Sequence, residues 1–201
     1  ATMPEADARR YRLNQFVSSM NAWLPVGTWE KLPNGRPQNV QVFAVDRTPG
    51  WDHASIVAAK LEDGDIVSTE LVASFNNTNI DELVRACVGL SKFGAPFIVD
   101  SYISSDLAQA LHQRGIRVHK ATHKDLINGS NNAYRRIMRK TLTHPQDEIV
   151  SVQMQRAVRK NVGESWKITR KDSMTDIDAA LATVLAIWYV DTQIQATQMV
   201  F

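Results

Sequence analysis

Three short stretches of this 201-residue chain bring carboxylates to the end or the mouth of an apolar element. "VFAVDR" (42–47) closes an apolar run with Asp46, and "PFIVDS" (96–101) does the same with Asp100. "TDIDAALATVLAIW" sets Asp176 and Asp178 at the mouth of an apolar helix. A hard divalent cation such as Mg²⁺ takes oxygen ligands and keeps several waters, so a few carboxylates suffice to hold it. Two such ions, about 3.5–4 Å apart, stabilise both the attacking and the leaving oxygen of a phosphodiester displacement. One acid must then bridge the ions. Asp46 suits that place because a central strand holds it most rigidly, with Asp100 flanking it from a neighbouring strand. The third ligand falls to the last helix, where Asp172, Asp176 and Asp178 compete. Asp178 is favoured because Ala179 and Ala180 follow it and let the helix approach closely, and Asp176 stands as a fourth ligand. The plainer reading is that these acids cap turns and helix starts, Asp178 being the third helical residue if Thr175 is the N-cap. Their occurrence in one fold-consistent order favours the metal.

The elements that must position them follow in a definite order. "NVQVFAVDR", "ASIVAAKLE" and "DIVSTELVASF" read as three strands of an antiparallel meander, joined by "TPGW" and "DGD" turns. "NIDELVRACVGLSKFG" is an amphipathic helix with Asn79 as N-cap, Glu82 at the capping-box position and Gly94 at its end. "APFIVD", the helix "SSDLAQALHQRG" and the strand "IRVHKA" complete a β-α-β-α-β run, which calls for parallel strands. Helices are predicted over 124–141, 146–160 and 175–190, with a strand "SWKIT" before the last. The fold class is therefore α/β, an RNase H-like mixed sheet of three antiparallel strands followed by parallel strands and flanked by helices. In it the first and fourth strands lie side by side, and ligands collect at the C-terminal ends of such strands. Asp46 and Asp100 close those two strands. Residues 1–39, with Pro and Gly in their second half, read as an arm, and residues 40–201 as the domain.

Composition narrows the rest. Hydrophobic content of 44% and charged content of 22% are those of an ordinary globular protein, and no apolar run is long enough to span a bilayer. The lone Cys87 lies in a helical pattern and reads as core rather than as a nucleophile. From Arg135 to Lys171 there are ten basic residues against three acids, so the remainder of a chain of net charge +2 is acidic. A basic patch beside an acidic cluster suits a protein that holds a polyanion near metal ions. Arg135, Arg136, Arg139 and Lys140 form i, i+4 pairs on a helix. Arg170 and Lys171 precede the third acidic element, and all six are expected to hold a DNA backbone without reading bases. His53, near the first hairpin, reaches the site only if that hairpin bends over it. His119 and His123 lie on a strand end and loop, where their spacing does not build a zinc site. The five Trp residues read first as core or packing, with Trp23, Trp29 and Trp51 the secondary candidates for surface contacts. No phosphate loop is present, which excludes an ATPase reading of this stretch, and there is neither a nucleophile elbow nor a dinucleotide fingerprint.

"RRYRLNQFVSSMNAWLPVGTWEKL", "VFAVDRTPGWDHASIVAAKL", "PFIVDSY" and "TDIDAALATVLA" together resemble the C-terminal nuclease domain of the large terminase subunit of tailed bacteriophages. The resemblance implies a metal-dependent, largely sequence-nonspecific endonuclease that cuts concatemeric viral DNA during packaging. It implies Asp46, Asp100 and Asp178 as the metal-binding acids, with Mg²⁺ or Mn²⁺ as cofactor and two ions when substrate is bound. By the same resemblance the partners are double-stranded DNA, the terminase ATPase domain, the small terminase subunit and the portal, without a membrane. The place of action is the host cell cytoplasm. Residues 1–39 become the connection from an ATPase motor that this sequence does not contain. Two other readings stand beside it: an RNase H-like nuclease of the Holliday-junction resolvase or recombinase type, and a non-cutting module that docks the motor on the portal.

Overall fold

The computed structural model describes residues 22–171, 173 and 176–198. Its centre is a six-stranded sheet. The strands are β1 (Val42–Arg47), β2 (His53–Glu62), β3 (Ile66–Asn76), β4 (Phe97–Asp100), β5 (Val118–Ala121) and β6 (Leu142–Thr143), in the order β5-β4-β1-β2-β3-β6. β1, β2 and β3 pair antiparallel, whereas β1–β4, β4–β5 and β3–β6 are parallel. This is the expected mixed sheet, with the first and fourth strands adjacent. The two-residue edge strand β6 is too short to leave a periodic signal in sequence. β1 is buried along its whole length, as a central strand covered on both faces must be.

Two layers cover the sheet. On one face, Phe43, Val45, Ile56, Phe97 and Val99 pack under α1 (Ile80–Ser91) and α2 (Ser105–His112). Asn79 caps α1 as expected, accepting from the Glu82 amide at 3.0 Å, while the Glu82 carboxylate takes the Thr78 hydroxyl at 2.8 Å. Cys87 lies fully buried on α1, and burial pushes its thiol up to about 12, which keeps it a core residue.

On the other face, Val42, Ala44, Val57 and Ile98 meet the last helix, α5 (Asp178–Gln198). α3 (His123–Arg139) and α4 (Glu148–Arg156) join the core on that side. From Ile177 to Trp188 every residue is buried, so α5 is apolar all round, as a helix enclosed by the core must be. α3 comes so near that a Cβ on Gly129 would stand 3.0 Å from the Val184 carbonyl oxygen and 3.0 Å from the Trp188 Cβ. A larger residue there would force α3 and α5 apart by a few tenths of an ångström. The residue 175 expected to cap α5 lies outside the described residues, as does residue 172.

One expectation is corrected here, on the helix over 146–160. Within the stretch 1–39 expected as an arm, Trp23, Leu24, Trp29 and Leu32 are buried in the same core as α5. The Trp23 indole donates to the Met154 carbonyl at 2.7 Å, and Trp29 stacks on His144 with ring centroids 4.0 Å apart. These two tryptophans are therefore packing residues, not surface contacts; residues 1–21 of the arm lie outside the described residues. The helix expected over 146–160 ends at Arg156, and Val158–Val162 form a strand, β7, that pairs antiparallel with β8 (Ser165–Thr169). Asn131 of α3 donates to the Trp166 carbonyl at 3.1 Å, and the Ile168 amide donates to Ser130 at 3.2 Å, which fixes this hairpin against the domain.

Candidate active site

Alternation along the strands decides which face each acid takes. Asp46 follows Val42 and Ala44 on the α5 face of β1, and Asp100 follows Ile98 on the same face of β4. Val45 pairs with Val99, so the next residues along these parallel strands, Asp46 and Asp100, sit side by side. On the other side Asp46 pairs across the ladder with Ser55 of β2. The Ser55 hydroxyl donates to Asp178 Oδ2 at 2.6 Å, which brings the start of α5 onto the row formed by Asp46 and Asp100. Three acids from three elements thus converge at the C-terminal edge of the two central parallel strands.

Each acid is held. Asp178 is 1% exposed, and its Oδ1 accepts from Gln153 of α4 at 3.0 Å. Gln153 in turn accepts the Ala180 amide at 3.1 Å, so one side chain fixes both the carboxylate and the first turn behind it. Asp100 Oδ1 accepts the amides of Tyr102 and Ile103, each at 2.8 Å, forming the strand-end turn that the plainer reading of this acid foresaw. Asp46 is 1% exposed and ion-paired through Oδ2 with Arg170 Nη2, just beyond β8. Burial pushes its carboxyl up to about 7; Arg170 pulls it down, and the neighbouring charges of Asp178 and Asp100 raise it further. Among the described residues no three acid, histidine or cysteine side chains already stand as a ready ligand set. Arg170, Ser55, Gln153 and the turn amides engage these carboxylates instead.

The surroundings stiffen the edge. Arg47, next to Asp46, is buried and donates to the Ile103 carbonyl at 2.5 Å and to Asp106 of α2 at 3.1 Å, tying the end of β1 to the turn after β4. Its guanidinium lies 3.8 Å from the ring centroid of Trp51, a residue held at φ 65° in the turn between β1 and β2. Trp51 is thus partly engaged in supporting the site.

The structure brings Asp178, not Asp176, beside Asp46. Asp176 pairs with His53 at 3.1 Å, and the other ring nitrogen of His53 lies 2.8 Å from Asn76 Oδ1. His53 therefore stands at the rim, contacting the acid that precedes the site.

The expected basic helix is not brought to the acids. α3 starts after β5, at the edge that carries Asp100, and its 17 residues run roughly 25 Å away from it. Its C-terminal end meets the start of β3, where Thr141 accepts the Val67 amide at 3.0 Å. Arg135, Arg136, Arg139 and Lys140 therefore lie towards the opposite end of the sheet. Arg136 is corrected further, because it is buried against Asp191 and Asp65 and has no free face for a phosphate. Of the basic residues of the β7–β8 hairpin, half-buried Arg170 reaches Asp46 and half-buried Lys167 feels Asp100, while Arg159, Lys160 and Lys171 are exposed. Lys160 pairs directly across from Lys167, a like-charge pairing that costs stability in a sheet unless an anion neutralises it. Burial lowers the Lys167 ammonium against a partial offset from Asp100, with Arg170 and Lys160 lowering it further.

Ser55 and Gln153 are site residues that the sequence did not point out. Ser55 carried a faint signal as a polar residue inside the apolar run of β2; Gln153 carried none.

With the geometry in hand, comparison with solved structures is decisive for the fold. The chain matches the large terminase of bacteriophage HK97 with a TM-score of 0.72 at 12% identity, over 93% of this chain and 48% of that one. It matches the large terminase nuclease of thermophilic phage G20c, with magnesium bound, at 0.63 and 14% identity, over 84% of this chain and 97% of that one. The fold is that of the large terminase nucleases. The nuclease domain of Thermus phage P74-26 gives 0.55 at 15% identity, over 79% of this chain and 88% of that one. The G20c terminase nuclease is also known with cobalt bound. The chain spans about half the length of the HK97 terminase and nearly all of the G20c nuclease. No family model and no curated protein sequence matches it.

Proposed function

We propose that this chain is the nuclease part of a large terminase, a divalent-metal-dependent endonuclease that cuts double-stranded DNA largely without regard to sequence. The observation that carries the reading is the convergence of Asp46, Asp100 and Asp178 from β1, β4 and α5 on one face of the sheet edge. These are hard oxygen donors, and the buried Asp46 is held near neutrality by burial and by two acidic neighbours, a state that a cation would relieve. The donor set fits Mg²⁺ or Mn²⁺, which Asp46, Asp100 and Asp178 would hold. When bound, such ions supply a nucleophilic water and neutralise charge building on the phosphate.

The chain's own part is positioning. Ser55 and Gln153 fix the rotamer of Asp178, the Tyr102 and Ile103 amides fix Asp100, and Arg47 fixes the turn beneath them. Lys160, Lys167, Lys171 and Arg159 offer cationic groups to the DNA backbone beside the acids, the term that gives affinity without base readout. Exposed Arg135, Arg139 and Lys140 extend the contact only if the duplex runs along α3. Cutting of concatemers, the host cytoplasm, and attachment to an ATPase motor, a small subunit and a portal belong to this proposal through the fold it shares.

The test is cleavage of supercoiled plasmid with Mg²⁺, Mn²⁺ or EDTA. Nicked and linear products in either metal and none in EDTA support the reading; cleavage in EDTA, or binding of DNA without cleavage in either metal, sinks it. Gln153→Ala gives a graded check. Loss of a group that orients a metal ligand lowers metal affinity by roughly 10–100-fold. The metal needed for half-maximal cleavage should rise by that factor, with little change at saturating metal.

A further inference from the structure

Arg136 and Arg170 each form an ion pair with a buried carboxylate, Asp191 and Asp46, and the two pairs are built differently. Arg136 spends its donors fully: Nε and Nη2 go to Asp191 at 2.9 and 2.6 Å, Nη1 to the Asp65 carbonyl at 2.8 Å, and Nη2 also to the Asp65 carboxylate at 2.9 Å. That is a tailored socket. Arg170 gives Nη2 to Asp46 and, at 3.2 Å, to the Arg47 carbonyl, while its buried Nε has no hydrogen-bond partner. Its side chain is 22% exposed, so a path to solvent is open, and exposed Lys171 follows it. Burial works against its charge, but Asp46 first, then Asp100 and Asp178, outweigh burial and hold the guanidinium above its ordinary range. The guanidinium is therefore bound to Asp46, within the field of two further acids, in an incomplete socket with an exit.

We propose that Arg170 is a resident counter-cation that occupies the acidic site before metal arrives, and that its transfer from Asp46 to a DNA phosphate couples metal binding to DNA binding. The inference rests on the metal-site reading above. Arg170 holds Asp46 Oδ2, so an ion that takes both oxygens of this carboxylate has to displace the guanidinium and binds more weakly for it. A phosphate offers the guanidinium a partner with the fork geometry that it prefers. DNA that draws Arg170 away leaves Asp46 free for metal, and by linkage metal must strengthen DNA binding by the same factor. Factors of roughly 5–150 are the usual scale of such coupling.

The experiment is calorimetric titration of Mn²⁺ into the parent, Arg170→Ala, Arg170→Lys and Asp46→Asn, without DNA and with a duplex made cleavage-resistant by phosphorothioate linkages. Without DNA, Arg170→Ala should bind Mn²⁺ at least about fivefold more tightly than the parent. Arg170→Lys should bind like the parent. The duplex should tighten Mn²⁺ binding to the parent and leave Arg170→Ala nearly unchanged. Mn²⁺ binding by Arg170→Ala that is equal to or weaker than the parent's overturns the proposal and leaves Arg170 a structural partner of Asp46. Should the alanine variant fail to fold by circular dichroism, Arg170→Gln makes the same comparison, keeping bulk and hydrogen bonding without charge. Asp46→Asn separates the two readings. If it binds Mn²⁺ as the parent does, the metal site itself is misassigned; if it loses binding while Arg170→Ala gains none, only the counter-cation role falls.

Discussion

Asp46→Asn will lower metal-dependent DNA cleavage by roughly 10³-fold, the scale on which a single preorganised electrostatic group acts, and will remove a loss of stability that the parent suffers as pH rises towards 7. The first effect follows from the central place of Asp46 between Asp100 and Asp178. The second follows from its burial. The Asp46 carboxyl is pushed up to about 7 in the fold, against an ordinary value of 3.8. Between those values the folded protein keeps a proton that the unfolded chain has released, so stability falls as pH rises from about 4 to 7. At about 1.4 kcal/mol per pH unit the full loss is up to about 4 kcal/mol. Asparagine does not titrate and should remove that slope. The variant also leaves Arg170 without its carboxylate, so thermal melts in EDTA from pH 4 to 8 should show the parent's advantage over the variant shrinking as pH rises. A variant that cuts like the parent would place the chemistry elsewhere. A difference that stays constant with pH would show that Asp46 does not titrate in this range.

Arg136→Ala should cost about 3–5 kcal/mol of stability, the usual penalty for removing one partner of a buried ion pair. Its guanidinium joins α3 to Asp191 on α5 and to the turn at Asp65, and Asp191 is 6% exposed. Without Arg136 that carboxylate is a buried charge with no counter-ion. The neighbouring exposed Arg139→Ala should change stability by no more than about 0.5 kcal/mol. Urea denaturation of both variants makes the comparison. Arg136→Met with Asp191→Leu should recover most of the loss, since apolar replacement of a buried pair is often neutral. If Arg136→Ala is fully stable and instead weakens DNA binding, the charge pattern in the sequence was the better guide to this residue.

That contrast shows what sequence can and cannot convey. The central strands were legible because β1 and β4 are short, apolar and terminated by an acid, and because the helices between them carry clear caps such as Asn79. Strand alternation then places Asp46 and Asp100 on one face. The choice between Asp176 and Asp178 was not legible, because it depends on where α5 begins and which of its sides meets Ser55. Basic residues at i, i+4 spacing announce a helix face, but not whether that face is buried or which end of the sheet it reaches. Arg136 went inward and its neighbours went away from the acids. Trp23 and Trp29 lie in a Pro- and Gly-containing stretch that reads as a connection, and only their contacts with the Met154 carbonyl and the His144 ring give them a reason to be inside. The β7–β8 hairpin was half visible, since "SWKIT" has strand character while Val158–Val162 continues a helical run without a breaker.

α5 carries Asp178 at its first residue and Asp191 further along, about 20 Å apart at the helical rise, and the two serve different neighbours. Such a helix acts as a phase-locked ruler. Adding or deleting one residue between them turns one end by about 100° relative to the other, so the acid at the sheet edge and the lock at α3 cannot both stay engaged. Substitutions along this stretch are open to drift within the limits of volume, whereas its length is not. Among chains of this fold, the spacing between the site acid and the distal lock should therefore vary far less than the residues that fill it.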